Sequence, residues 1–459
     1  MKNIFFNTIV SLVTAPISQN IAIIRISGPK TYKIINKIFN KKINNDNNVK
    51  NQIIFGKILD NKRKIVDEVL LFCFYKPHSF TGEDLIEVSC HGNLFIVNKI
   101  IKLIIENGAE LAERGEFTKK AFFNKKINII QSNAINDLIH SPSDLGTKIA
   151  LHNLNKNSKN ELEIIEEKML EIIANIKVNI DYPEYDGVEY LTKENAYKEI
   201  LIIKKKLEKL KKSGKIANIY QEGLKIAIIG KPNVGKSTLF NTLLKREKSI
   251  VTEIEGTTRD IIEVNHNFNG IPLILLDTAG IHEANNKIEK IGIKKSLEAL
   301  DNSEVIFFLV DNSQEWSKED EKIYQIIKKK NKKYLIIINK SDIKKKIKIP
   351  HKEIKKIIEI SAKNKQISEL EKKINKWFGK HLVKNIPDHP YLAQNWQIVK
   401  LNSLSKKIKN IMKEIKKGTY LDAICGDLEI IYNSIKELSG KNIKEEIIDI
   451  IFSKFCLGK

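Results

Sequence analysis

The spacing of apolar residues changes along the chain and divides it into stretches of different character. Residues 1–120 alternate short apolar runs with glycine and proline, and IAIIRISG, NQIIFGKI and VDEVLLFCFY have the length and composition of β-strands. One longer run, NLFIVNKIIKLIIENG, has the apolar spacing of three and four residues that is typical of a helix. The pattern predicts an N-terminal α+β domain over residues 1–120.

Residues 121–217 and 380–459 share a helical pattern. KNELEIIEEKMLEIIANIKVNI and ENAYKEILIIKKKLEKLKK are separated by the acidic IDYPEYDGVEY, and helical spacing returns after the PDHPYLAQ connection. Between them, residues 218–379 alternate strand-like and helix-like runs, which is typical of a doubly wound, mostly parallel sheet. We therefore expect an α/β domain at 218–379 inserted into one discontinuous, all-helical domain formed by residues 121–217 and 380–459.

Length and composition fit such a multidomain chain. It has 459 residues, of which 42% are hydrophobic and 29% charged, and no stretch has the length and apolar character of a membrane span. The first twenty residues resemble a signal peptide only weakly, because Asn7 and Ser11 interrupt the apolar run. The four cysteines lie far apart without CxxC spacing, which favours a reducing cytoplasm over a zinc site or disulfides.

The formal net charge of +23 has two interpretations. Clustered lysines neutralise phosphates, so the charge is compatible with an RNA partner. Lysine, isoleucine and asparagine are abundant throughout the sequence, however, and a low-GC coding bias produces the same charge without a selected surface. The sequence leaves both interpretations open.

The strongest chemical signal is LKIAIIGKPNVGKST at residues 224–238. A strand of the buried type runs into Gly230-x-x-x-x-Gly235-Lys236-Ser237 and then into a helix. The glycines let backbone N–H groups close around phosphates, Lys236 reaches the β- and γ-phosphates, and the Ser237 hydroxyl binds magnesium. This order of strand, loop and helix predicts a P-loop nucleotide site.

Two following segments supply the remaining phosphate and metal contacts of a P-loop protein. GTTRD (256–260) places Thr258 where it can complete the magnesium shell and sense the γ-phosphate. LILLDTAG (273–280) is a strand that ends in Asp277, near the metal, and offers the N–H of Gly280 to the γ-phosphate.

Guanine specificity is predicted by YLIIINKSD (334–342), with ISAKN (360–364) closing over the base. The Asp342 carboxylate accepts from both N1–H and the exocyclic amine of guanine, whereas adenine has no N1–H. We therefore predict a GTPase. The expected GTP contacts are Asn233, Val234, Gly235, Lys236, Ser237, Thr238, Thr252, Ile254, Gly256, Thr257, Thr258, Asp277, Thr278, Ala279, Gly280, Asn339, Lys340, Asp342, Ser361, Ala362 and Lys363.

The residue after Asp-Thr-Ala-Gly is Ile281, where Ras-like proteins carry a glutamine that orients the attacking water. An apolar side chain cannot do this, so another group must. Glu283 and Glu289 are the candidate carboxylates, and either is equally compatible with a surface position on a helix.

With these motifs assembled, the chain resembles the MnmE (TrmE) family of tRNA-modification GTPases over essentially its whole length. RISG, HSFTGEDLIEVSCHG, GEFTKKAFFNKK, IDYPEYDG, the GTPase motifs and FSKFCLGK occur in the order of that family. The loop at residues 17–20 departs from it, because Ile-Ser-Gln-Asn replaces the usual glycine-rich sequence. The residues that replace glycine here do not readily adopt the positive φ values that a glycine-rich loop can use.

The resemblance implies a dimerising N-terminal domain that binds a 5-formyl- or 5,10-methylene-tetrahydrofolate through Arg25, Glu87, Lys126 and the terminal Lys459. It places K⁺ at Asn233, Thr252, Ile254 and Thr257, and Mg²⁺ at Ser237 and Thr258. It also implies that Glu289 is the catalytic carboxylate and that Cys456 belongs to a motif needed for tRNA modification.

The resemblance further implies a homodimer that acts with MnmG (GidA), an FAD-dependent partner, in a heterotetramer or larger complex. Together they would install a carboxymethylaminomethyl-type group at carbon 5 of the wobble uridine of tRNA. The alternative is a ribosome-assembly switch that binds ribosomal RNA, for which a KH-type module after the α/β domain is expected. A third interpretation, a folate-binding protein with a vestigial GTPase domain, conflicts with the complete phosphate, magnesium and guanine motifs.

Overall fold

The computed structural model of the chain describes residues 7–43, 51–155, 161–181, 192–244, 263–277, 299–351, 356–379, 390–443, 445–456 and 458. Its N-terminal part contains β1 (Ile9–Leu12), β2 (Ile21–Ser27), α1 (Thr31–Ile38), β3 (Gln52–Leu59), β4 (Ile65–Phe74), β5 (Leu85–His91), α2 (Leu94–Glu106), β6 (Glu110–Leu111) and α3 (Glu116–Phe123). The strands form one sheet in the order β3-β4-β5-β2-β1-β6. All pairs are antiparallel except β1 with β6.

The two faces of this sheet differ because the side chains of each strand alternate between them. One face is buried under α1 and α2, where Ile24 and Val88 pack with Ile35 and Ile100. The opposite face of the β3–β4 hairpin stays open, and Ile53 and Phe55 are 64% and 54% exposed. The N-terminal domain therefore presents an uncovered apolar surface on β3.

Four helices follow, namely α4 (Ile129–His140), α5 (Asp144–Leu154), α6 (Glu161–Asp181) and α7 (Lys193–Glu222). Asn128 begins α4 with a capping box, in which its side chain accepts from the backbone N–H of Gln131 and the Gln131 side chain accepts from the N–H of Asn128. The predicted boundaries at 120/121 and 217/218 both fall inside helices, α3 and α7 respectively. The exact positions of the domain boundaries therefore stay predictions.

The inserted α/β part comprises β7 (Leu224–Ile229), α8 (Lys236–Leu244), β8 (Glu263–Phe268), β9 (Ile271–Asp277), β10 (Val305–Asp311), α9 (Lys318–Lys329), β11 (Lys333–Asn339), β12 (Ile357–Glu359) and α10 (Ser368–Phe378). The sheet order is β12-β11-β10-β7-β9-β8. Every pair is parallel except β8 with β9, so the prediction of a mostly parallel sheet is confirmed.

The chain then returns to helices α11 (Asn395–Lys416), α12 (Leu421–Ser439) and α13 (Glu445–Phe452). Leu162 and Ile203, from before the α/β part, share one hydrophobic core with Leu404 and Leu428, from after it. This core confirms the predicted discontinuous helical domain. Among the described residues, no helix is both long enough and apolar enough to cross a membrane.

The returning segment 390–394 is tied to the helices that precede the insertion. Asn153 exchanges two hydrogen bonds with the backbone of Tyr391, and Asn218 Nδ2 donates to the carbonyl of Ala393 at 2.9 Å. Gly214 permits this approach, because a Cβ there would lie 2.4 Å from the carbonyl oxygen of Leu392. The α/β part is thus anchored where it leaves and where it re-enters the helical core.

Candidate functional site

The predicted nucleotide residues converge at one edge of the α/β sheet. In the parallel register Ile228 of β7 lies beside Asp277 of β9, and Asp311 of β10 lies beside Asn339 of β11. β7 is the central strand between β9 and β10, where the order of connection reverses. Ligands of open α/β sheets bind outside the carboxyl ends of the strands at this switch point.

The loop after β7 has the conformation that a phosphate cradle requires. Asn233 and Gly235 have positive φ values of 61° and 97°. A Cβ at position 235 would lie 2.2 Å from Asn339 Nδ2, so only glycine fits there. The loop leads into α8, whose first backbone N–H groups have no partner within the helix itself and point towards the loop, and Ser237 and Thr238 are exposed there.

Lys236 is held across this loop. Its Nζ donates to the carbonyl oxygens of Gly230 at 2.9 Å and Lys231 at 2.7 Å. A lysine in that position places its positive charge at the loop, where it can attract phosphate oxygens. The cradle, the ammonium group and the Ser237 hydroxyl fit a triphosphate with a magnesium ion.

Asn339 joins the loop after β7 to the loop after β12. It is 2% exposed, its Nδ2 donates to the carbonyl of Val234 at 2.8 Å, and its Oδ1 accepts from the N–H of Ala362 at 3.0 Å. The role of Asn339 in the structure is therefore to hold 230–235 and 360–364 in register, and both of its polar atoms are used for that purpose.

Asp342 lies at the mouth of the site and is prepared as an ionised acceptor. The Ser361 hydroxyl donates to its Oδ1 at 2.5 Å. This hydrogen bond, the residue's own backbone N–H and the nearby Lys363 and Lys340 lower the pKa of the Asp342 carboxyl. An ionised carboxylate at this position is what recognition of the two guanine donors requires.

Sequence reasoning missed Asp311, which fixes Lys340. The Lys340 Nζ lies 2.6 Å from Asp311 Oδ2, and Asp311 is 3% exposed. Burial of the Asp311 carboxyl opposes its ionisation, but hydrogen bonds from Lys340 and from the side chain and backbone of Ser313 outweigh it and lower its pKa. The signal was present in the sequence, since Asp311 ends the buried strand VIFFLVD as Asp277 ends LILLD.

Several predicted site residues lie outside the described residues. They are Thr252, Ile254, Gly256, Thr257, Thr258, Thr278, Ala279, Gly280, Ile281, Glu283, Glu289 and Lys459.

The predicted folate residues Arg25 and Glu87 form an ion pair across β2 and β5. Arg25 Nη2 and Nε lie 2.6 and 2.8 Å from Glu87 Oε1, and Arg25 Nη1 donates to the carbonyl oxygen of Gly458 at 3.2 Å. The guanidinium also lies over the rings of Phe80 and Phe117, at 5.4 and 5.6 Å from their centroids. Arg25 therefore joins the sheet to the C-terminal tail.

Lys126 lies against the loop that carries Phe80. Its Nζ donates to the carbonyl of Pro77 at 2.9 Å, and its side chain passes close to Gly82. The structure thus brings Arg25, Glu87 and the tail into contact and places Lys126 on the 77–82 loop beside them. A guanidinium, a carboxylate and an ammonium group fit the carboxylates and ring donors of a folate.

Cys456 is the exposed one of the four cysteines, all of which are free. Its Sγ lies 3.4 Å from His140 Nε2. The His140 Nδ1 lies 2.9 Å from the carbonyl of Asn136, which can only accept, so Nδ1 carries the proton and Nε2 faces the thiol as an acceptor. By contrast, burial raises the pKa values of the Cys73 and Cys90 thiols to about 12.

Comparison with known proteins identifies similar sequences over the whole chain. Residues 8–126 match a family model described as the GTP-binding protein TrmE N-terminus, and residues 129–456 match the MnmE helical domain. The tRNA modification GTPase MnmE of Malacoplasma penetrans is 41% identical over 99% of this chain and 100% of its own length. MnmE of Mycoplasma genitalium is 39% identical over 98% of this chain and 99% of its own.

Among solved structures, Era in complex with MgGDPNP and part of 16S ribosomal RNA is 35% identical to this chain. It covers 33% of this chain and 55% of its own, with a TM-score of 0.26. A superposition of that extent carries no functional conclusion.

Proposed function

The chain belongs to the MnmE (TrmE) family of tRNA-modification GTPases, and we propose that with an FAD-dependent MnmG-type partner it installs a carboxymethylaminomethyl-type group at carbon 5 of wobble uridine. At the coarser level it is a GTP hydrolase that takes part in tRNA modification. Beyond this, we propose the chemistry of the tRNA modification, the FAD-dependent partner and a folate ligand at the Arg25–Glu87 pair.

The observation that carries the proposal is the coexistence of two separate ligand frames in one chain. Asn339 and Lys236 hold a guanine-nucleotide frame in the α/β domain. Arg25 and Glu87 form a charged frame in the N-terminal domain, in direct contact with the C-terminal tail. A GTPase that only times an assembly step needs the first frame, whereas one-carbon chemistry on a base needs a carrier that the second frame can bind.

For the hydrolysis step we propose distinct roles for the residues of the nucleotide site. Lys236 neutralises phosphate charge, Asp342 selects guanine, and Glu289 orients the attacking water in place of Ile281. Ser237 and Thr258 would hold Mg²⁺, and Asn233, Thr252, Ile254 and Thr257 would hold K⁺. When bound, these ions supply further positive charge at the phosphates. The exposed Asn233, with its amide oxygen on a left-handed turn of the loop, fits that task.

The potassium proposal is tested by comparing GTP hydrolysis in potassium and sodium at equal ionic strength. We expect a much faster rate in potassium, lost in Asn233→Ala, because the side chain oxygen that helps to hold the ion is removed. Glu289→Ala should lower the rate constant with nearly unchanged GTP affinity. Equal rates in the two salts would show that a bound potassium ion does not contribute to GTP hydrolysis.

We further propose a cytoplasmic homodimer formed through the N-terminal domain. The open face of the β3–β4 hairpin carries Ile53, Phe55 and Leu70, which are 64%, 54% and 40% exposed. In the register, Phe72 of the same face lies beside Glu87 and Ile53. The apolar surface therefore continues up to the Arg25–Glu87 pair, so a partner subunit on this face would also close the folate site.

The ribosome-assembly alternative gains no support from the chain that follows the α/β domain. The described residues there form α11, α12 and α13 rather than a KH-type module with strands.

Nucleoside mass spectrometry of tRNA from cells lacking this chain tests the proposed function. We expect loss of carboxymethylaminomethyl-type uridines, restored by the wild-type chain but not by Lys236→Ala. An unchanged nucleoside profile together with accumulation of ribosome precursors would contradict the proposal and favour the alternative.

A further inference from the structure

The charges of the helical core are divided between two pairs of helices. α7 and α11 pack against each other and together carry fifteen lysines against five glutamates. α6 and α12 pack against each other and carry ten acidic residues against three lysines. One half of this four-helix arrangement is therefore strongly basic and the other half is acidic.

This division bears on the two interpretations of the net charge. A coding bias towards lysine enriches every exposed surface alike, because it does not distinguish one helix from another. α6 and α12 are also amphipathic helices with exposed outer sides, yet they carry only three lysines. Composition alone does not account for a basic half next to an acidic half.

The lysines of the basic half form two rows. On α7, Lys198, Lys205, Lys209 and Lys212 are exposed at intervals of seven, four and three residues, which places them on one side of the helix. On α11, Lys406, Lys409, Lys413 and Lys416 are exposed at intervals of three and four residues and form a second row. Neighbouring lysines of a row are therefore about one helical turn, or ~5.4 Å, apart along the helix axis. The one interval of seven residues corresponds to two turns.

The two rows run side by side in opposite directions. Near one end, Lys193 Nζ donates to the carbonyl of Gly418 at 2.6 Å, and Lys416 lies over the ring of Tyr197 at 5.3 Å. Towards the other end, Lys211 Nζ donates to the hydroxyl of Ser405 at 3.3 Å. These contacts join the two segments from Lys193 to Lys211 of α7.

The few acids on this surface are already engaged with lysines outside the rows. Glu208 pairs with Lys211 at 2.5 Å, and Glu414 pairs with Lys417 at 2.9 Å. Among the described ion pairs, none involves Lys198, Lys205, Lys209, Lys212, Lys406, Lys409, Lys413 or Lys416. Lys409 acts on Glu208 only as a minor contribution to the lowered pKa of that carboxyl, whose main cause is Lys211.

We propose that the basic face of α7 and α11, defined by these eight lysines, docks the phosphate backbone of the substrate tRNA. The inference rests on the proposed function for the identity of the RNA. Rows of ammonium groups without base-reading side chains suit sequence-independent backbone contact, which releases counterions and positions the nucleic acid. The acidic half on α6 and α12 then repels the RNA and restricts it to one side of the helical core.

The test compares two full-length variants with equal loss of charge. Lys205→Gln, Lys209→Gln, Lys406→Gln and Lys413→Gln together remove four ammonium groups from the basic face. The control removes four exposed lysines elsewhere, through Lys62→Gln, Lys322→Gln, Lys329→Gln and Lys372→Gln. Binding of unmodified tRNA is measured by filter retention over a series of salt concentrations, with GTP hydrolysis and thermal unfolding measured in parallel.

We expect the basic-face variant to bind tRNA at least tenfold more weakly at 0.1 M salt. The slope of log K against log salt should become shallower by about 0.7 to 0.9 for each phosphate contact that is lost, so by roughly three in total. The control variant should change affinity less than twofold, and the four Lys→Arg substitutions at the basic face should retain binding. GTP hydrolysis without tRNA should be the same in all variants.

Equal weakening in both glutamine variants would overturn the proposal, because general charge and not this face would then bind RNA. Unchanged tRNA binding by the basic-face variant would also overturn it, because these lysines would then not contact the RNA backbone. A wild-type chain that binds tRNA no better than it binds a ribosomal RNA fragment would instead count against the proposed function, whatever the variants show.

Discussion

The two ligand frames of this chain are built in opposite ways. In the nucleotide site, the carboxyl ends of adjacent strands bring the functional residues together, and Lys236 and Asn339 are held by backbone groups of the site itself. In the N-terminal frame, Arg25 and Glu87 satisfy each other, and the third partner is the carbonyl of Gly458 at the far end of the chain.

The difference has an energetic consequence. A nucleotide entering its site adds phosphate and base contacts without breaking the hydrogen bonds of Asn339. The folate that we propose for the other site would have to share or displace a charge pair in which the Arg25 and Glu87 side chains are only 12% and 21% exposed. The first frame is therefore preorganised for its ligand, whereas the second frame would exchange partners if folate binds there.

The largest effect is expected from a change within the preorganised frame. Gly235→Ala introduces a Cβ 2.2 Å from Asn339 Nδ2 at a φ of 97°, so the loop and its neighbour must both move. We expect GTP affinity to fall about 100-fold or more, equivalent to ~2.7 kcal/mol, in a titration with a fluorescent GTP analogue.

Gly426→Ala provides the matched control, because a Cβ on that glycine of α12 meets nothing within 4 Å. Its GTP affinity should equal that of the wild type. If Gly235→Ala binds GTP within threefold of the wild type, the loop is adaptable and the nucleotide site is no more preorganised than the Arg25–Glu87 site.

The next largest effect concerns base selection. Asp342→Asn replaces an ionised acceptor by an amide that offers a donor, which matches the extra carbonyl of xanthine. We expect GTP affinity to fall by roughly 10- to 100-fold, as for loss of a hydrogen bond to a charged group, and XTP to become the preferred nucleotide.

Ser361→Ala separates orientation from recognition at the same carboxylate. It removes the hydroxyl that donates to Asp342 at 2.5 Å but leaves the charge. GTP binding should weaken less than in Asp342→Asn, with no gain for XTP. An Asp342→Asn chain that keeps its preference for GTP would invalidate the assignment of this residue to the base.

A smaller effect is expected in the N-terminal frame. Arg25→Ala removes the guanidinium that would bind a folate carboxylate but also frees Glu87, so part of the loss is offset. We expect about tenfold weaker binding of 5-formyltetrahydrofolate by calorimetry.

Arg63→Ala, at an exposed arginine between β3 and β4, is the control and should bind as the wild type does. If the wild-type chain shows no binding at millimolar ligand, the altered 17–20 loop has closed the site and the frame is purely structural.

A stability measurement tests the junction between the helical core and the α/β domain. Burial raises the pKa of the Asp137 carboxyl to about 7, with Gln394 hydrogen bonds opposing and Glu222 adding to the shift. Because this folded-state pKa lies above the ordinary value of 3.8, protonated Asp137 makes its full contribution to the free energy of unfolding below pH 3.8. This contribution is lost as the pH rises through 7.

Asp137→Asn should therefore flatten the dependence of unfolding free energy on pH between 5 and 8, by ~2 kcal/mol over that interval. The measurement is chemical unfolding at several pH values, with Asp427→Asn, exposed on α12, as the control. The same slope in Asp137→Asn as in the control would show that this carboxyl is not the titrating group.

The sequence alone predicts those features whose residues lie close together along the chain. The P-loop is read from one strand, one loop and one helix that are continuous in the chain, and the alternation of strands with helices predicted the parallel sheet. Arg25 and Gly458 are 433 residues apart, and no periodicity connects them. Arg25 is indicated only through resemblance to a family, and its contact with Gly458 is not predicted at all.

Other features depend on three-dimensional packing that no sequence pattern contains. Asp311 pairs with Lys340 because β10 and β11 are neighbours in register. His140 meets Cys456 because the tail folds back beside the end of α4. The division of charge between α7 with α11 and α6 with α12 likewise depends on which helices pack together, so the net charge alone could not reveal it.

If the nucleotide site of the α/β domain hydrolyses GTP specifically, the purified chain should release phosphate from GTP and little or none from ATP. The measurement is steady-state phosphate release in potassium and magnesium, with GTP or ATP as the substrate. We expect the GTP activity to be lost in Lys236→Ala while the protein stays folded. Comparable hydrolysis of ATP, or undiminished GTP hydrolysis by Lys236→Ala, would refute GTP specificity at this site.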